Sequence, residues 1–298
     1  MIYILLAVSL SAALMVNVTK KIYSGNYQRK LSDGFLFSAF SFIVATIILL
    51  IFGVGETSRF TFVMGLLFGA VTTLQSITMI LAFKIGPMAY TSVIINFSTL
   101  LTALSGVLWF DEKLYAPQMI GIALMLISFI CSANGEPGQK KANAKWLSLC
   151  IVSFLATGGI GIMQKLHQSS AYKSELNSLL VIAFTSSSVF ALALAAIFDR
   201  TSKLKGEDTK SVFLEKNKLL KLVIVIVLQG IGVAVNNEIN LYLSGVMSSS
   251  VFFPTVNGGG LILTTLCSVI IFKERLSLKQ WIGIAVGILS VVLVCNPF

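Results

Sequence analysis

The sequence predicts an all-α, polytopic membrane protein whose ten transmembrane helices form two inverted five-helix repeats. Three observations carry that reading. Of 298 residues, 56% are hydrophobic and only 11% are charged, whereas a water-soluble domain carries roughly a quarter charged residues. The apolar residues gather into ten runs, each near the ~20 residues that cross ~30 Å of hydrocarbon. A fourteen-residue segment also recurs in the second half. The same composition excludes other classes. Aliphatic content is too high for a disordered chain, and four cysteines are too few for a disulfide scaffold. Ten spans use about 200 residues and leave no room for a sizeable soluble domain.

In order, the runs lie near Met1–Thr19, Phe35–Gly53, Phe60–Phe83, Met88–Phe110, Ala116–Ala133, Trp146–Gln164, Leu176–Phe198, Leu219–Leu243, Val246–Phe272 and Trp281–Pro297. The first has the length of a secretory signal, but Lys20 and Lys21 follow the apolar run instead of preceding it, which reads as a retained helix. Asp33-Gly34, Gly53-Val54-Gly55, Gly86-Pro87 and Asn134-Gly135-Glu136-Pro137-Gly138 supply the turns between runs. Period-two alternation, the mark of a membrane barrel, is absent from the sequence.

The repeat is the most informative feature. Phe110-Asp111-Glu112-Lys113-Leu114, Gln118 and Ile120-Gly121-Ile122-Ala123 recur as Phe272-Lys273-Glu274-Arg275-Leu276, Gln280 and Ile282-Gly283-Ile284-Ala285. Eight of the 14 aligned positions are identical, which duplication explains economically. Val8-Ser9 echoes Val152-Ser153, Met88 echoes Met247 and Asn96 echoes Asn257. The expected units are a first repeat over 1–135, a linker over 136–145 and a second repeat over 146–298. Because five helices is an odd number, the second unit must enter the bilayer from the opposite side. Lys and Arg follow: 18 lie in the odd-numbered connections and 4 in the even-numbered ones. Read literally, that bias places the odd connections in the cytoplasm and both termini outside.

Ten helices in two repeats, with Phe-x-Glu-Lys/Arg-Leu-x-x-x-Gln-x-x-Gly after the fourth and ninth, resemble the EamA-type branch of the drug/metabolite transporter superfamily. The resemblance spans essentially the whole chain. It implies a central cavity and transport, commonly export, of small metabolites, amino acids or drugs. It also implies cytoplasmic termini, against the charge tally, so the orientation stays open. The expected location is the plasma membrane of a bacterium.

Inverted repeats are also a mechanical statement, since two similar halves can rock about an axis in the membrane plane and expose a midplane site to each side in turn. The candidate residues follow from polarity at membrane depth. Glu238 is the sole charge between Lys221 and Lys273. A carboxylate at a helix centre costs about 2.5–3.5 kcal/mol on the insertion scale, so it is a candidate for proton coupling, with snorkelling to the headgroups as the alternative. At 100° per residue, Gln229, Asn236 and Asn240 share a stripe from which Glu238 points away. Those amides either bind polar substrate groups or hold helices together. Pro254 and the Asn257-Gly258-Gly259-Gly260 run predict a kink or break in the ninth span, and Pro254, Asn257 and Gly258 join the candidate substrate site or gate, with close helix packing through the glycines as the alternative. Asn96 enters as the repeat partner of Asn257. Gln75 enters as a polar residue within the third span, as Asn17 and Gln164 do for the first and sixth. Lys20, Lys21 and Lys165 read as topology signals, and Glu112 and Glu274 as solvated or interfacial charges at helix ends.

No Walker loop, no HExxH and no paired intramembrane acids occur, and no nucleophile–base constellation surrounds the lone His167. The cysteines form no CxxC pair. Neither an enzyme, a metal site nor a cofactor is expected. The +10 net charge sits between spans rather than on one soluble face, which excludes nucleic acid as a partner. The expected partners are a small-molecule substrate, the lipid bilayer and protons. The alternative is a scaffold or regulator that transports nothing.

Overall fold

The computed structural model describes residues 2–112, 115–133, 144–204, 211–273 and 277–295. Most of the 136–145 linker, Lys113 and the Glu274-Arg275 pair lie outside them. The described residues form α1 (Ile2–Asn26), α2 (Leu31–Ile51), α3 (Arg59–Ile85), α4 (Met88–Asn96), α5 (Ser98–Trp109), α6 (Ala116–Ala133), α7 (Ala144–Gln168), α8 (Leu176–Leu204), α9 (Lys216–Val246), α10 (Ser249–Ile270) and α11 (Leu278–Cys295). The chain is a polytopic all-α membrane protein. Eight helical stretches are long and apolar enough to cross a bilayer, with α4 and α5 counting as one. The helices α6 and α11 have 18 residues each and pack against one another.

Burial is arranged for lipid. Ile47, Leu67, Val189 and Leu220 are exposed, while Ser9, Ser38, Thr73, Ser153 and Ser187 are buried between helices. Small polar residues let backbones approach and hydrogen-bond across the contact, which is how helices associate where lipid is as apolar as leucine. Thus the Ser187 hydroxyl donates to the Gly69 carbonyl at 3.0 Å and Thr73 to the Ser187 carbonyl at 3.2 Å, zipping α3 to α8.

Helix directions follow from which ends touch. The Phe35 ring stacks on Phe198, Phe42 on Phe184, and Asn177 donates to the Leu49 carbonyl, so α2 and α8 are antiparallel. Gly106 meets Ser249 while Val93 packs with Leu261, so α4–α5 and α10 are antiparallel. Ser9 bonds to Asn240 and Thr19 to Gln229, which sets α1 antiparallel to α9. By contrast, Gln164 reaches Asn237 and Gln168 lies beside Gly245, so α7 runs parallel to α9 and is therefore opposed to α1. Close contacts recur in pairs. A Cβ on Gly69 of α3 would sit 2.6 Å from the Ala183 carbonyl of α8, and one on Gly230 of α9 would sit 2.7 Å from the Ser41 carbonyl of α2.

Of the kink or break expected in the ninth span, the structure corrects the break. Helix α10 is continuous through Pro254 and the glycines. Gly259 is pressed against Leu10 of α1, with 3.1 Å from its missing Cβ to the leucine methyl, so it serves close packing. The interruption falls in the other half, at Phe97 between α4 and α5. There the Asn96 amide donates to the Ser92 carbonyl at 2.7 Å, a side-chain bond of the kind that competes with the helical backbone.

Candidate functional site

A cavity of about 190 Å³ lies where α1, α3, α4, α7, α9 and α10 converge. Its position follows from the directions above, since the middles of these helices face one another across it. Helix α1 contributes Ala13, Val16, Asn17 and Lys20, and α7 contributes Thr157, Ile160, Gly161 and Gln164. A shift of 144 residues, the spacing of Val8-Ser9 and Val152-Ser153, carries the first set onto the second. Helix α3 gives Thr72, Gln75, Ser76 and Met79, while α9 gives Val233, Asn236, Asn237 and Asn240. These sets are 161 apart, as are Gly86 and Met247, which close the two helices. The same shift carries Ser92, Ile95 and Asn96 of α4 onto Phe253, Val256 and Asn257 of α10. Phe42, Thr102, Phe252 and Gly260 complete the wall.

Several polar groups in the wall are tied to one another. Asn236 donates to the Ser9 carbonyl at 3.0 Å, Asn240 donates to Asn236 at 3.3 Å, and the Ser9 hydroxyl donates to Asn240 at 2.5 Å. Gln164 donates to Asn237 at 3.4 Å, and Asn17 to Thr264 at 3.1 Å. Others are left open. The buried hydroxyls of Ser92 and Thr72 have no hydrogen-bond partner among the described residues. Buried hydroxyls without partners are uncommon, and a polar cavity with room for water or solute is where they are tolerated.

Of the residues singled out in the sequence, Gln75, Asn96, Asn236, Asn240 and Asn257 line the cavity, and Pro254 and Gly258 are not among its lining residues. Glu238 is not among them either. It is half-buried with its Oε2 unpartnered among the described residues. His167 is held by Thr61 and Gln168, away from the cavity wall.

Sequence reasoning missed Lys20. Reading the first span as ending at Thr19 put this lysine at the membrane boundary, but α1 continues to Asn26 and Lys20 is only 3% exposed. Its Nζ donates to Gln75 Oε1 at 3.2 Å and points at Met79 Sδ at 3.7 Å. Lys20 is the one charged residue among the lining residues. The signal was present in the spacing, because Ala13, Asn17 and Lys20 recur at the three- and four-residue intervals of one helix face.

Glu112 is not a solvated end charge. Its side chain is 12% exposed, and it bridges Lys165 of α7 at 2.9 Å and Ser249 Oγ, at the start of α10, at 3.1 Å. Burial pushes its carboxyl up, but the backbone and hydroxyl donors at the start of α10, together with the Lys165 ammonium, outweigh that and hold it below the usual value. Lys165 also donates to the Met247 carbonyl at 3.1 Å. Lys21, the residue equivalent to Lys165 under the shift of 144, donates to the Gly86 carbonyl at 3.1 Å.

Residues 1–133 match the EamA-like transporter family. No curated protein matches the sequence. A solved protein crystal structure, 15% identical, superposes over 97% of this chain and 97% of its own with a TM-score of 0.65, a likeness that shows the fold alone.

Proposed function

We propose, from a chain whose residues 1–133 match the EamA-like transporter family, that the protein is a secondary carrier that moves a small metabolite across the plasma membrane by alternating access. In this reading 1–135 and 146–298 are inverted repeats and 136–145 links them. The observation that carries it is the composition of the cavity wall. Equivalent positions of the two halves, on helices that run in opposite directions, face a common space. Two such halves can tilt against each other and open that space first to one side and then to the other.

Contacts between halves at one end supply the closure. The Lys165–Glu112 pair and the seat of Glu112 on the start of α10 join α7 and α10 to the turn after α5. Opening toward that end separates them. Size also selects the substrate, because about 190 Å³ is below the roughly 300–1,000 Å³ of sites that enclose drug-sized ligands. The cavity favours metabolites over drugs.

Export by proton antiport belongs to this reading as its second element, with Glu238 as the coupling group. Its unpartnered Oε2 lies on α9 and its residue is absent from the cavity wall, so protons would pass beside the substrate path rather than through it. Solute counterflow in proteoliposomes tests the carrier. Saturable exchange of a labelled solute against the same solute inside supports it, and a purified, monodisperse protein that exchanges nothing from a broad panel of metabolites refutes it. Retention of full pH-driven transport by E238Q would remove the proton role and leave the carrier.

A further inference from the structure

Resting on the carrier reading, we infer that the transported solute is a small anion, with a carboxylate or equivalent group bound at Lys20. The inference begins from the one place where the near-symmetry of the cavity is broken by charge. Under the shift of 144 residues Lys20 corresponds to Gln164, and both side chains line the cavity. Gln164 donates a hydrogen bond to an amide of α9, as Lys20 does to an amide of α3. A neutral amide therefore meets the packing and hydrogen-bonding needs of this position. What the lysine adds is an ammonium, a positive charge that an anion bound in the cavity would stabilise.

That charge has no counter-ion among the described residues. No carboxylate lines the cavity among the described residues. Elsewhere, the other buried lysine, Lys165, is answered by an acid, Glu112 at 2.9 Å. An uncompensated charge away from water is destabilising unless something neutralises it, and a cavity is where that something can enter. The Ser92 hydroxyl, 1% exposed and unpartnered, and the amide of Asn257 offer further donors on the same wall. Phe252, Phe253 and Ile95 give apolar surface for the body of the solute.

The same wall argues against cations and zwitterions. An amine in the cavity would meet like charge at Lys20, and an amino acid would bring an ammonium for which no carboxylate is present among the lining residues. Neutral polar solutes would be served by the amides alone, so it is the charge at Lys20 that singles out a compact monoanion.

The test is counterflow in proteoliposomes with radiolabelled lactate, pyruvate, benzoate, alanine, choline and glucose, alongside thermal unfolding of the wild-type protein in detergent with each. At least one of the three acids should exchange saturably and raise the unfolding temperature, while its neutral amide (lactamide, pyruvamide or benzamide) should not compete. K20Q, which places at this position the residue its equivalent already holds, should stay folded and lose affinity for that acid about 10- to 100-fold, the worth of one charge-assisted hydrogen bond. K20R should recover part of the loss. Exchange of choline, glucose or alanine in place of the acids overturns the anion assignment but leaves the carrier standing. An acid that exchanges equally well with K20Q overturns it too. Failure of all three acids to exchange or stabilise overturns the anion assignment, and the carrier falls with it only when a broad panel of metabolites also fails to exchange.

Discussion

Lys20 and Lys165 read alike in the sequence, as basic residues that close the first and sixth spans, and the structure gives them opposite situations. Lys165 is clamped by Glu112 and by the Met247 carbonyl, so its charge is used within the protein to hold two halves together. Lys20 faces a cavity, and among the described residues its nitrogen meets an amide oxygen and a thioether. The lesson is that a buried charge is classified by its counter-ion and not by its depth. A paired lysine is structural, and an unpaired one that opens onto a cavity is free to serve a ligand.

The sharpest way to break that comparison is to neutralise each lysine and measure stability. K165M leaves Glu112 buried without its cation and should lower stability by about 3 kcal/mol, at the low end for breaking a buried pair. K20Q removes an uncompensated charge and should leave stability unchanged or higher. Equal losses in chemical unfolding would erase the distinction. Next in size are the close helix contacts. Gly69→Leu and Gly230→Leu each drive a side chain into the backbone of the neighbouring helix and should each be destabilising by about 1–3 kcal/mol. Similar losses at both sites support equivalence of the halves, and a loss at only one speaks against it.

Acid tests the Lys165–Glu112 pair from its carboxylate side. The folded protein holds the Glu112 carboxyl below its usual value, so the stability this group supplies is complete above the ordinary carboxylate range. It is lost as pH falls through the lowered folded value. E112Q should flatten that acid limb of a stability–pH profile in detergent, and a limb unchanged by E112Q would place the acid sensitivity elsewhere. The smallest effect expected is N236A, which frees Ser9 and Asn240 from one network. It should be destabilising by about 0.6 kcal/mol, the average for such interhelical bonds, and thermal unfolding against wild type would show it.

Much of the fold was legible because the bilayer writes it plainly. Long charge-free runs need no tertiary knowledge to be read as helices. Polarity at depth also pointed to Gln75, Asn236 and Asn240, the proline–glycine segment to Asn257, and the repeat from there to Asn96. What stayed hidden depended on where helices end and what they touch. Lys20 was read as a boundary charge because hydropathy ends at Thr19, although the backbone continues for another seven residues to Asn26. Pro254 and its glycines suggested a break because local propensity disfavours a helix there. Packing against α1 keeps α10 intact, and Gly259 is small so that Leu10 can fit. The interruption at Phe97 has no proline or glycine to announce it, only an asparagine whose side chain turns back to the Ser92 carbonyl.

The most direct measurement of the central claim is two-sided accessibility of the shared cavity. In a background with all four native cysteines replaced, N257C would be reconstituted in vesicles of defined orientation and treated with a membrane-impermeant maleimide from either face. The account predicts labelling from both faces, slowed by a bound solute. Labelling confined to one face, or absent from both in a folded protein, would contradict it.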